Sequence, residues 1–211
     1  MVVQIGIVGT GVVARLLGQG LADAGHQVSY GTRDPERTSN REEWAGSDQR
    51  LAAYADLEGE VYVNATKGEG SLAALQAVGP ALNGKVVVDT SNALDSSSGF
   101  PPSLFVKDTD SLAEQLQRAL PEARLVKMFN TMSSIVMVDP TAPGQESTVF
   151  VAGNDEAAKQ TATKLAGDLG WTDVLDLGDL TAARGLEMYI SLWLRIYRTL
   201  GRPGFNIKVV R

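Results

Sequence analysis

Two short stretches hold residues able to do chemistry: Gly9-Thr10-Gly11-Val12-Val13-Ala14 and, about twenty residues later, Gly31-Thr32-Arg33. In the first, Gly9 permits a tight turn after an apolar run, Gly11 lets backbone approach a diphosphate with no Cβ in the way, and Ala14 allows close helix packing. A helix beginning there turns its unpaired N–H groups and the positive end of its dipole toward phosphate. The second stretch is the selector. A free ribose 2′-hydroxyl calls for Asp or Glu at the end of the second strand, whereas Thr32-Arg33 offers a hydroxyl and a guanidinium, which suit a 2′-phosphate. Arg37 adds a second cation. Asp34-Pro35 reads as a helix N-cap and first helical residue, so the Asp34 carboxylate is occupied with backbone N–H groups. The two stretches together predict an NADP site, with Gly9, Thr10, Gly11, Val12 and Val13 at the pyrophosphate and Thr32, Arg33 and Arg37 at the 2′-phosphate.

The elements that must position these residues follow from the apolar pattern. Val2, Val3, Ile5, Ile7 and Val8 make a β-branched strand of the kind covered on both faces, and Leu16, Leu17, Leu21 and Ala24 give the next segment helical spacing. Residues 27–31 form the second strand. The polar stretch 37–57 reads as helical around 41–45 and again near Leu51. Further strands fall at 61–66, 86–89, 124–129, 148–151 and 173–177, and helices at 71–78, 155–169 and 182–200. Ser111-Leu112-Ala113-Glu114 is a capping-box pattern for another helix, ended by Pro121. Residues 95–102, rich in Ser, Gly and Pro, form a loop near the cofactor. This alternation predicts an α/β fold, a Rossmann-type doubly wound and mostly parallel sheet with a small C-terminal helical and extended region. Residues 1–135 are expected to form the NADP-binding domain and 136–211 a small region closing the substrate cleft, the whole being compact enough to be one unit. Strand exits at Ala65-Thr66, Asn92 and Asn130 then share a rim with the glycine turn, which assigns those four residues to the cofactor.

Composition narrows the chemistry. The chain has 211 residues, a net charge of −6, no Cys and one His. A thiolate nucleophile, a disulfide and Cys-ligated zinc or iron–sulfur are excluded, and no His cluster exists for a metal. His26 sits at the end of the second strand away from the glycine turn, so it reads as structural and no catalytic side chain or metal ligand is assigned. No basic block favours nucleic acid. The long C-terminal helix carries Glu187, Arg195 and Arg198, which rules it out as a membrane span. With no signal sequence evident, the cytoplasm is the expected location, and Trp193 with its neighbours suggests a homodimer.

Beyond the glycine turn, the chain carries Gly31-Thr32-Arg33 with Arg37, Phe129-Asn130-Thr131, Ala183-Arg184-Gly185-Leu186-Glu187 and Phe205-Asn206-Ile207-Lys208. In these it resembles, over nearly its whole length, the coenzyme F420-dependent NADP oxidoreductases, a deazaflavin-using family to which the cytosolic domain of the STEAP metalloreductases is related. The resemblance implies hydride transfer between NADP(H) and F420 held in a cleft. It implies that Thr10, Thr32, Arg33 and Arg37 bind the 2′-phosphate, that Asn130 and Thr131 with Met132, Ser133 and Ser134 lie on the nicotinamide and substrate side, and that Phe205 walls the cleft. Lys67 and Ala93 stand where many members have Pro. With both reacting centres on cofactors, the protein supplies alignment and electrostatics, although Lys67, Lys127 or a serine remains available to a carbonyl substrate. Two other readings stand beside this one: an NADPH-dependent reductase of flavin, quinone, ferric or small carbonyl compounds, and a non-catalytic NADP(H) sensor.

Overall fold

The computed structural model describes residues 2–211. Its first half alternates strand and helix: β1 (Gln4–Val8), α1 (Val12–Asp23), β2 (Gln27–Thr32), α2 (Pro35–Ser39), β3 (Arg50–Ala53), β4 (Val61–Asn64), α3 (Gly68–Val78) and β5 (Val86–Asp89). A two-residue ribbon, β6 (Leu94–Asp95) with β7 (Ser103–Leu104), brackets the Ser/Gly/Pro loop. Then come α4 (Leu112–Ala119), β8 (Arg124–Met128), α5 (Ser134–Val138), β9 (Val149–Gly153), α6 (Glu156–Asp168), β10 (Val174–Asp176), α7 (Ala183–Met188) and α8 (Ile190–Leu200).

Eight strands form one sheet in the order β10-β9-β8-β5-β4-β1-β2-β3. Every pairing is parallel except β8 with β9. The period-2 alternation of each strand divides the core between the two faces. Ile5, Ile7, Val63, Val88, Val126 and Met128 pack under α1, α5 and α6, while Val8, Tyr62, Val87 and Leu125 pack under α3 and α4. The sheet is therefore doubly wound. Strand order reverses between β1, which leads on to β2 and β3, and β4, which leads on to β5 and β8. A crevice opens at such a switch point beyond the carboxyl ends of the strands.

Several elements differ from the sequence expectation. Leu51 is not helical but sits in β3, an edge strand paired with β2, and only a three-residue 3-10 turn, Glu42–Trp44, represents the expected helix before it. Arg50-Leu51-Ala52-Ala53 has no β-branched residue, so the pairing with β2 makes the strand rather than local propensity. α3 starts three residues earlier than expected, at Gly68. The single helix expected over 182–200 is two helices, α7 and α8, meeting at Tyr189. β9 runs antiparallel to β8, so β9 and β10 extend the parallel sheet in the opposite direction. α8 buries only Ile190 and leaves Leu192, Tyr197 and Leu200 exposed. Among the described residues no helix is long and apolar enough to cross a membrane.

Candidate functional site

The glycine turn is built by its neighbours. Gly9 adopts φ +119°, and a Cβ there would lie 2.8 Å from the Ala65 carbonyl oxygen, so the position admits only glycine. Its N–H donates to Gly31 O at 3.0 Å, and Ala65 N–H donates to Val8 O at 3.0 Å, joining the ends of β1, β2 and β4. Gly11 is the N-cap of α1 and supplies no side-chain acceptor. A Cβ on Gly11 would meet nothing within 4 Å. The first N–H groups of α1 consequently carry no side-chain cap, the arrangement a diphosphate needs. Ala14 is fully buried.

A cleft of about 530 Å³ lies on the β2 side of this turn, lined by Thr10, Thr32, Arg33, Asp34, Arg37, Thr38, Arg41 and Tyr54. Thr32 and Thr38 share a 2.8 Å hydrogen bond between hydroxyls. Asp34 caps α2 as expected, its carboxylate accepting Arg37 N–H at 2.9 Å with Pro35 beginning the helix. Among the described residues neither Arg33 nor Arg37 is ion-paired, whereas Arg41 pairs with Glu43 and donates to Thr10 Oγ1 at 3.1 Å. Burial pushes the Tyr54 phenol up from its ordinary range and nearby Arg33 pulls it part-way back, so Tyr54 offers a neutral hydroxyl. The cleft thus presents guanidinium and hydroxyl donors to an anion.

A second cleft, about 340 Å³, lies across the turn at the ends of β4 and β5, lined by Val13, Ala65, Thr66, Lys67, Gly68, Glu69, Thr90, Ser91, Asn92, Leu94 and Ser96. A buried polar network holds its walls. Asn64 accepts from the Thr66 hydroxyl at 2.7 Å and donates to Asp89 at 2.8 Å, and Asp89 also accepts from the Ser91 hydroxyl at 2.7 Å. Lys127, fully enclosed, bonds Asp89 at 2.8 Å, Glu187 at 2.9 Å and the Ser91 carbonyl at 2.5 Å. Burial works against the Lys127 charge, but Asp89 and Glu187 outweigh it and raise its pKa above the ordinary lysine value. Glu187 in turn accepts the Leu112 and Ala113 N–H groups at the start of α4, at 2.9 and 3.1 Å. Lys127 is therefore sealed from any substrate, and its work is to position Ser91.

The expected residues divide accordingly. Gly9 to Val13, Thr32, Arg33, Arg37, Ala65, Thr66 and Asn92 surround the turn and its two clefts. Phe129, a non-glycine residue at φ +65°, turns the chain after β8 and sends Asn130 inward. Asn130 and Asn92 bond each other through Nδ2 in both directions, at 2.9 and 3.0 Å, so Asn130 touches the second cleft through Asn92. Thr131 and Met132 are buried, Ser133 donates to the Pro203 carbonyl at 2.8 Å, and Ser134 begins α5. Phe205 stacks on Trp193 with ring centroids 5.2 Å apart. None of these five lines either cleft. His26 is structural, accepting from Val3 N–H at 3.3 Å and lying 3.2 Å from Asp168. Thr38, Arg41 and Tyr54 were missed. The arginines at 33, 37 and 41, four residues apart, were the available signal.

The profile of a family described as NADP oxidoreductase, coenzyme F420-dependent, matches residues 4–93. A crystal structure from Arthrobacter sp. FB24, assigned as an F420-dependent NADP-reductase, is 47% identical, covers 99% of this chain and 100% of its own, and superposes with a TM-score of 0.96. The chain belongs to the F420-dependent NADP oxidoreductase family. As a member, it is an oxidoreductase. The F420-dependent NADP reductase of Methanothermobacter marburgensis is 28% identical over 200 residues, with 89% of each chain covered. The metalloreductase STEAP3 of Rattus norvegicus is 31% identical over 189 residues, or 87% of this family member, which spans only 36% of that protein's length.

Proposed function

We propose that the protein passes hydride between NADP(H) and a deazaflavin of the coenzyme F420 type. The observation that carries the nucleotide half is the pair of unpaired guanidiniums, Arg33 and Arg37, where an NAD site would have a carboxylate. Bound NADP would supply hydride chemistry at its nicotinamide. The residues present fit it: Gly9 to Val13 and the start of α1 would hold the diphosphate, Arg33, Arg37 and Thr32 the 2′-phosphate. Ala65, Thr66, Ser91 and Asn92 would orient the nicotinamide end, with Asn130 supporting Asn92. The buried Asn64–Asp89–Lys127 network fixes Thr66 and Ser91, so alignment is set before ligands arrive. Thr131, Met132, Ser133, Ser134 and Phe205, which line neither cleft, are given no ligand contact in this reading. Two reductases named for F420 among the relatives support the deazaflavin as co-substrate.

The likeness to a metalloreductase favours a second reading, in which the acceptor is a flavin or a ferric complex. One assay separates them. Purified protein with NADPH is offered F420, FMN, FAD and ferric complexes in parallel, and acceptor reduction is followed optically. F420 is expected to turn over fastest. Reduction of flavin or iron with none of F420 selects the second reading, and NADPH binding without turnover of any acceptor sinks both.

A further inference from the structure

Arg41 leaves the loop after α2 so that Nη1 donates to the Thr10 hydroxyl at 3.1 Å while Nη2 pairs with Glu43. Trp44 follows closely. Its Nε1 donates to Thr10 O at 3.2 Å, and its buried ring meets Tyr30 edge-on at 5.0 Å. Residues 41–44 are therefore pinned to the glycine turn through both oxygens of Thr10. Of the three guanidiniums lining the first cleft, two are unpaired and the third already carries a carboxylate. That carboxylate is well suited to the part: the N–H of Glu43 itself and then Arg41 hold its pKa below the usual range, so it stays anionic.

We propose that Arg41 is a further specificity-determining residue for a phosphorylated ribose, and that Glu43 is a built-in stand-in for the phosphate, displaced when that group enters. The proposal rests on the reading of the first cleft as the 2′-phosphate site. A phosphate monoester carries about 1.5–2 negative charges at neutral pH and three acceptor oxygens. The carboxylate it displaces is half-exposed, and an exposed ion pair is weakly held. The exchange requires little motion, since Nη1 keeps Thr10 and only the partner of Nη2 changes. A ligand with a free 2′-hydroxyl offers nothing to draw Arg41 from Glu43. The phosphorylated nucleotide thus gains a third charge-assisted contact that its unphosphorylated counterpart does not.

A purely structural strap would behave differently, because loosening the glycine turn weakens every dinucleotide alike. The test is equilibrium binding of NADPH and NADH to the wild type, Arg33→Ala, Arg41→Ala and Glu43→Gln. Arg41→Ala is expected to weaken NADPH roughly five- to tenfold and NADH less than about twofold. Glu43→Gln removes the competitor and is expected to tighten NADPH roughly two- to fivefold with NADH unchanged. Equal losses for both nucleotides in Arg41→Ala, or no loss, overturn the assignment of Arg41. Unchanged NADPH binding in Glu43→Gln overturns the stand-in role. Arg33→Ala is the separate check on the underlying reading: if it fails to weaken NADPH relative to NADH, the cleft is not a 2′-phosphate site at all.

Discussion

At the scale of single residues, the site joins side chains that are readable from sequence to others that are not. Gly9, Thr32 and Arg33 were legible because their roles depend on immediate neighbours: a strand before, a helix after, a carboxylate missing. Lys127 was not, because its partners Asp89 and Glu187 stand 38 and 60 positions away in the chain and only the folded sheet and α7 bring them within 2.8 and 2.9 Å. Read alone, it was a free amine available to a substrate; in place, it is the counter-charge of two enclosed carboxylates. Removing one member of such a group leaves buried charge uncompensated, at about 3–5 kcal/mol. Lys127→Met should accordingly lower the melting temperature by roughly 10 °C for a chain of this size. A thermal unfolding curve that shifts by less than a few degrees would show that Lys127 does not hold the cluster together. Lys67, exposed on the second cleft, serves as the comparison: Lys67→Met should leave the melting temperature nearly unchanged.

At the scale of elements, the strands that pack on both faces were readable and the β3 edge was not. β1, β4 and β5 announce themselves by Val and Ile, since burial on two faces demands apolar, β-branched residues. β3 does not, because an edge strand needs only one partner and carries partly exposed side chains. The start of α3 was also missed. Gly68 opens that helix because its backbone rides directly over the Asn92 carbonyl, to which a Cβ would come within 2.0 Å. Gly70, two residues further along the same helical turn, has open space where its Cβ would be. The two glycines therefore predict opposite results. Gly68→Ala should push α3 from the Asn92 turn, destabilise the fold by about 1–3 kcal/mol as overpacking does, and weaken ligand binding in the second cleft. Gly70→Ala should stabilise by up to about 1 kcal/mol through helix propensity alone. Denaturant titrations of the two variants decide the matter, and an equal effect from both would refute the close approach of α3 to Asn92.

At the scale of the whole molecule, the C-terminal stretch is bound back onto the last two strands of the sheet. Thr148 N–H donates to Ile207 O at 2.9 Å, and Val209 N–H to the Thr148 hydroxyl at 3.0 Å. Lys208 and Arg211 reach Asp173, just before β10, at 2.8 and 2.7 Å. Lys208 also pairs with Glu146, whose carboxyl it holds below the ordinary range. Hydrogen bonds from Lys208, then Thr148 and Arg211, hold the Asp173 carboxyl at about 2, against the opposing effect of burial. Asp110, before α4, is likewise held at about 2, chiefly by Arg118. In the unfolded chain both return to about 3.8. Because the folded values are lower, the unfolded state takes up more protons in acid, and each group stabilises the fold fully only above its unfolded value. That contribution falls away as the pH drops from about 3.8 through about 2. Replacing Lys208 and Arg211 together by Met should release Asp173 toward its unfolded value, lower stability at pH 7 and move acid unfolding to higher pH. Denaturant titrations across the acid range should show the gap between variant and wild type closing toward pH 2. A gap that stayed constant from neutrality down to pH 2 would mean that the tail is held by its backbone bonds and the Asn206–Ser147 contact rather than by charge.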